Sequence, residues 1–375
     1  LTCLLSINAC TGSKVDQDEI KKANQFFESI FQDRVLDSPE FQTRLGYKSN
    51  YDQWDDITWE NRRKEIRNAQ FNLEYMLDNI DIKKLDNKTA ISYRLMEKSL
   101  QRTMDSNDYL FRGYMVTHRG GKHSSIPSFL INYHKIDDER DAEDYLSRLR
   151  NIEPLFEDFI KELELRDELG TIPPMFVYPK AIAVCENIIS GYPFEDGKKQ
   201  NVIYEDFVNK LDALDISDAI KLRYKSEAEA ILVTIVNYSY KNLIDFLAKQ
   251  QLNATNNDGV WKYSNGAEYY QYALDGYTTL GLTPEEIHQI GLSEVARIHE
   301  EIYAIMEEVA FEGTLQEFFD FMRTDPQFYY PQSDKGRQMY LDQVNVVVDT
   351  LSARIDELFY GLPSIPLVVK PVEAY

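Results

Sequence analysis

The sequence predicts an all-α protein, a large multi-helix array with a few short strands. Apolar residues recur at three- and four-residue spacing along most of the chain, and Ser, Thr or Pro stand where those runs begin, with Gly where they stop. A chain of 375 residues that is 43% hydrophobic can bury roughly three quarters of the surface its unfolded form exposes. With 25 Tyr and 19 Phe it is too aromatic for a disordered acidic chain.

Ile20, Phe27 and Phe31 form the stripe of a first helix that Asp37-Ser38-Pro39 ends, and Pro39 opens a short second one. Thr58 can cap a helix with Ile66, Phe71, Leu73 and Met76 on its apolar side. Tyr93, Met96, Leu100 and Met104 mark the next. Residues 105–136, rich in Gly and Ser and carrying His118, His123 and His134, read as a long irregular segment. From Asp137 to Arg166 a helix returns, with Tyr145, Leu149, Ile152, Phe156, Phe159 and Leu163 buried, and Gly170 stops it. Pro173-Pro174 opens a helix through Val184 and Ile188, residues 192–200 form a polar turn, and Ser217 caps a long helix with Ile220, Tyr224, Ile231, Ile235 and Leu243 on one face.

Thr283-Pro284-Glu285-Glu286 is a capping box for a helix through Val309, whose buried face is expected to be Ile287, Val295, Ile298, Ile302, Ile305 and Val309. A short helix to about Met322 and a long one from Ser333 to Tyr360 follow. Leu367-Val368-Val369, between prolines, reads as an extended strand.

A formal charge of -22 argues against nucleic acid and anionic membrane surfaces as partners. Residue 1 is Leu. Residues 1–10, ending Ile7-Asn8-Ala9-Cys10, read as a signal-peptide remnant with a lipobox, residues 11–17 as a tether, and 18–375 as a single helical domain. Cys10 is the expected lipidation site, and Thr11 after it favours the outer membrane, facing the periplasm. The only membrane attachment expected is that anchor, since no run reaches the ~18 to 20 apolar residues of a span. A short buried apolar segment with a chance Cys is the competing reading. Cys185 sits in an apolar run and reads as a core residue.

No catalytic or metal-binding residue emerges. His299-Glu300 begins an H-E-x-x-H zinc motif, but position 303 is Tyr. His288 and His299 share a helix side yet lie roughly 16 Å apart at 1.5 Å per residue, too far for one ion. The gaps of five and eleven between His118, His123 and His134 match no zinc spacing. The carboxylate pairs Asp55-Asp56, Glu285-Glu286 and Glu300-Glu301 read as solvated faces and caps. There is no G-x-S-x-G, no P-loop and no dinucleotide fingerprint.

Five segments in order carry a family resemblance: S-P-E-F-Q-T-R-L-G-Y (38–47) with Tyr51, Trp54 and Asp55; D-A-E-D-Y-L-S-R-L (141–149); G-T-I-P-P (170–174); G-V-W-K-Y-S-N-G-A-E-Y-Y (259–270); and T-T-L-G-L-T-P-E-E-I-H-Q-I-G-L-S-E-V-A-R-I (278–298). On these, the chain from about Phe27 to Tyr375 resembles the bacterial family of unknown function numbered 885. The resemblance implies a helical, gluzincin-like zinc peptidase acting on peptides or small amides, often secreted or lipid-anchored. It also implies that the zinc motif, of the form H-E-x-x-P-G-H-H, lies in a C-terminal half beyond Tyr375. The expectation is therefore an N-terminal part, inactive alone and without a cofactor of its own. Tyr269, Tyr270, Tyr277, Thr278 and Thr279 would border the substrate cleft, their hydroxyls available to a peptide backbone. Read without the resemblance, the same tyrosines are core aromatics with hydroxyls at the surface. The alternative function is a non-catalytic helical lipoprotein that binds peptides or a partner protein.

Overall fold

The computed structural model describes residues 15–365 and 367–371; the lipobox Cys10 lies outside them. Packing divides the chain between Lys262 and Tyr263 into two compact units, a boundary that no composition shift marks, and each is described by itself.

In the first unit, the Asp16 carboxylate accepts from the Asp18 and Glu19 amides and starts α1 (Gln17–Asp37). Ser38 both ends α1 and caps α2 (Pro39–Arg44), its hydroxyl accepting from the Phe41 amide at 3.1 Å. Thr58 caps α3 (Trp59–Asn79) as the sequence predicts, and Asp86 caps α4 (Asn87–Asp105). Ala23, Ala69, Leu73, Met76, Tyr93 and Leu100 bury themselves between α1, α3 and α4. Phe71 does not join them and is 68% exposed. Two residues from Leu73, it lies about 200° round the helix, on the outer face.

Residues 105–136 are more regular than expected. A two-residue hairpin pairs Val116 with Gly121 and Thr117 with Gly120, and α5 (Lys122–Tyr133) follows with Pro127 inside it. Proline has no N–H to give the carbonyl four residues back. That carbonyl is His123 O, and the buried Tyr240 hydroxyl donates to it at 3.0 Å. A tertiary hydrogen bond thus replaces the one the helix lacks.

The expected helix 137–166 is two, α6 (Glu139–Arg150) and α7 (Ile152–Glu168). Pro154 accounts for the break: it fits the first turn of α7 but could not continue α6. α8 (Val177–Ile188) starts three residues after Pro173-Pro174, and α9 (Val202–Asp212), absent from the sequence reading, is capped by Asn201. α10 (Asp218–Ile231) runs through a π-helical turn, Leu232–Val236, into α11 (Asn237–Gln251). The main core joins α5 to α11, with Leu130, Tyr145, Leu149, Phe159, Phe207 and Leu243 among its members. Cys185 is one of them, fully buried, and burial pushes its thiol up to about 12, which keeps it protonated.

The second unit holds α12 (Gly266–Thr278), α13 (Pro284–Glu308), α14 (Leu315–Thr324) and α15 (Asp334–Ser352). Thr283 and Glu286 form the predicted capping box. The predicted buried face of α13 is not buried: Val295, Ile298, Ile305 and Val309 are 42–57% exposed. Local signals suffice to form a helix, whereas burial needs a neighbour, and here α14 covers only the C-terminal end. Beyond Lys262, Tyr263, Met306 and Phe318 alone are buried among the described apolar side chains. α15 stops at Ser352 rather than Tyr360, with no local breaker to account for it. Residues 367–371 have no regular secondary structure; the strand expected there has no partner to hydrogen-bond.

Candidate functional site

Most of the sequence-derived cleft residues sit on α12, and they do not converge. Tyr270 and Tyr277, seven residues apart, share one stripe and are 43% and 89% exposed. Tyr269 lies about 100° round from Tyr270, half-buried, its ring 6.4 Å edge-on from that of Tyr263. Thr278 donates its hydroxyl to Leu274 O of its own helix at 3.0 Å. Thr279 ends the helix in the left-handed region, at φ 58°.

The histidines are as dispersed. His118 is exposed, its ring edge-on to Phe176 at 5.2 Å. His123 is 1% exposed with Nδ1 unpartnered against Gly121, and burial holds its pKa down to about 4. Both nitrogens of the fully buried His134 are engaged: Nε2 with Asp141 O at 3.1 Å, Nδ1 with the Arg148 guanidinium at 2.9 Å. Among the described residues no group of three or more His, Cys, Asp or Glu could hold a metal ion. The zinc that the resemblance implies does not fit these donors, because His134 has no free lone pair and His123 has no second ligand beside it.

The most elaborate polar arrangement centres on Arg148, a residue the sequence reading left inside a motif without a role. It is completely buried. Its Nε donates to Gln53 O at 3.0 Å and an Nη to Thr43 Oγ1 at 2.6 Å. The rings of Phe129, Tyr51 and Trp54 surround it at 4.9, 5.2 and 5.6 Å. Its three acceptors are neutral, so the charge complement comes from the aromatic faces together with the Glu40, Asp52 and Asp144 carboxylates. Burial lowers its pKa to about 10, leaving it cationic at neutral pH. Because Arg148 always donates, His134 Nδ1 must accept and Nε2 must carry the proton. Burial, then the Arg148 charge, push the His134 pKa down to about 2.

Tyr51 stacks on His134 at 4.1 Å and accepts from the Lys135 amide at 2.7 Å, while Trp54 Nε1 donates to Arg148 O at 2.9 Å. Nearby, Asp55 accepts from the Ser38 hydroxyl and the Glu40 amide, and Glu40 pairs with Lys122. Burial, then the Glu40 charge, raise the Asp55 pKa. Segments 38–47, 51–55 and 141–149, which carry much of the resemblance, therefore meet in one clasp. Its hydrogen bonds run largely within the cluster, so it can hold these segments together. An open acidic cleft of about 450 Å³ lies at the start of α6, lined by Asp137, Asp138, Glu139, Arg140, Leu214, Asp215 and Ile216; Asp138 is spent there as the helix cap and Asp137 pairs with Lys48.

Two solved structures share the fold. The putative lipoprotein from Colwellia psychrerythraea is 22% identical, with a TM-score of 0.80 over 96% of this chain and 62% of that one. A putative lipoprotein of unknown function from Shewanella oneidensis is 16% identical, with a TM-score of 0.57 over 94% of this chain and 60% of that one. The chain thus spans about three fifths of the length of either. No curated protein matches it. Over residues 39–375, starting at the first of the sequence motifs and some twelve residues after the Phe27 at which the resemblance is read to begin, it matches the model of the family described as bacterial protein of unknown function (DUF885), and it belongs to that family.

Proposed function

We propose that these residues form the helical, partner- or substrate-holding part of a lipid-anchored envelope protein, tethered through Cys10 and facing the periplasm from the outer membrane. Zinc-peptidase chemistry of the kind the resemblance implies would then belong to polypeptide outside them. One observation carries the reading: the chain spans 62% of a structural neighbour, itself described as a putative lipoprotein, that it otherwise follows closely. The engagement of His134 and the dispersal of the α12 hydroxyls agree with it. Tyr269, Tyr270, Tyr277, Thr278 and Thr279 would contribute a wall of a shared cleft rather than reacting groups. The second reading, a non-catalytic lipoprotein that binds peptides or a protein, draws on the exposed apolar face of α13.

The deciding experiment compares the 375-residue chain with the complete reading frame that contains it. Zinc per chain and cleavage of short peptides and amides are measured for both. Stoichiometric zinc and turnover in the longer product alone are expected. Stoichiometric zinc in the 375-residue chain would sink the proposal, and a longer product with neither zinc nor turnover would favour the second reading. For the anchor, metabolic labelling with a tagged palmitate should mark the envelope protein and fail on Cys10→Ala.

A further inference from the structure

α10, the π turn and α11 run without a break over residues 218–251. On α10 the buried stripe is Tyr224, Ala228 and Ile231; from the end of the π turn through α11 it is Val236, Ser239, Tyr240, Leu243, Leu247 and Gln250, with Leu232 buried at the join. At 3.6 residues per turn, an unbroken α-helix would set the centres of these two stripes roughly 100° apart, the rotation of a single residue. One stripe would then face the core while the other turned aside. Yet the apolar members of both belong to the same core, α10 packing on α6 and α9, and α11 on α7 and α8.

The π turn removes that offset. It closes on bonds five residues apart, the Asn237 amide donating to Leu232 O, and so holds one residue more than an α turn. The helical period of the sequence puts Ile235, four residues after Ile231, on the buried face. In the structure Val236, five residues on, is the buried one, and Ile235 is only partly covered. From Val236 the steps of three and four resume through Tyr240, Leu243 and Leu247, and the Tyr240 hydroxyl meets His123 O at 3.0 Å. Val233 and Thr234, on the outside of the turn, are exposed, and the Thr234 hydroxyl donates to Ala230 O of its own helix at 2.6 Å.

We propose that the π turn is a register device: its one extra residue rotates α11 so that Tyr240 is positioned to give α5 the donor that Pro127 withholds. The extra residue is therefore removable. Without one residue from the exposed side of the turn, an ordinary α turn carries the first stripe into the second, with Val236 one α turn after Ile231. Loss of a residue from the regular part of α11 instead drives half of the second stripe out of the core.

The test deletes single residues from the full chain and follows urea unfolding by tryptophan fluorescence, which reports the first unit because Trp54, Trp59 and Trp261 all lie in it. Deletion of Thr234 is expected to leave the midpoint within about 0.3 M of the parent's. Deletion of Lys241, also exposed but within regular α11, is expected to lower it by about 1 M or more, since Leu243, Leu247 and Gln250 are turned by roughly 100°. Tyr240→Phe should shift the midpoint equally with and without Thr234, because the hydroxyl still reaches α5. Equal midpoints in the two deletion variants overturn the proposal, and so does a chain that does not fold without Thr234. A Tyr240→Phe shift that vanishes when Thr234 is deleted overturns it as well, since the register would not have been kept.

Discussion

Arg148 concentrates much of what the first unit needs from single residues. The buried guanidinium persists because it donates three hydrogen bonds, three rings line it, and the Glu40, Asp52 and Asp144 carboxylates act on its charge. Arg148→Met should cost about 3 kcal/mol in urea unfolding, as Thr43, Gln53 and His134 lose their donor. Arg148→Lys should recover little, lacking the fork. His134 links the clasp to pH. Its folded pKa, about 2, lies below its ordinary value of 6.5, so the unfolded chain binds the extra proton. Stability is thus full above pH 6.5 and falls as acid is added, by at most about 1.4 kcal/mol per pH unit for this site. His123, pushed down to about 4, adds a second such slope that ends sooner. His134→Gln can keep both hydrogen bonds without titrating. Its urea midpoint should depend on pH between 6 and 4 less steeply than the parent's, by about one proton's worth.

At the scale of elements, α5 depends on α11. Pro127 leaves His123 O without its helical donor, and Tyr240 supplies one from the helix that follows the π turn. Tyr240→Phe should therefore cost about 1 to 3 kcal/mol. In Pro127→Ala the restored N–H can bond His123 O, so the same Tyr240 substitution should cost much less there. Equal losses in the two backgrounds would show that the hydroxyl acts elsewhere. Several helix starts were legible because caps are local: Thr58, Ser217 and Thr283 each bond an amide within three residues. α5 was illegible because its Gly-Gly start and internal Pro read as loop, and only a distant tyrosine makes the proline tolerable. α9 was hidden because its opening, Asn201 after a run of polar residues, looks like more turn.

For the whole molecule, burial is unevenly divided. Two apolar clusters stabilise the first unit, while few apolar side chains beyond Lys262 are buried and many are exposed, Leu358 at 79% and Leu367 at 73% among them. Limited subtilisin digestion of the native chain should cut first beyond residue 262 and leave a resistant fragment ending near there. The intact chain should bind a hydrophobic dye, and the fragment should bind much less. Equal protection of both units would contradict this division.

The sequence by itself determined the helical class, most helix starts, the small buried role of Cys185 and the family. The class and the helix starts depend on periodicity and caps, which act over one or two turns, whereas the family followed from the resemblance of five ordered segments. Tertiary structure decided which apolar faces are covered. Phe71 and the apolar face of α13 have the right spacing for burial, but spacing fixes only the side a residue takes, and cover requires a neighbour from elsewhere in the chain. It also decided the role of Arg148, whose partners stand up to 105 residues away in sequence and meet only once α5 and α6 have packed.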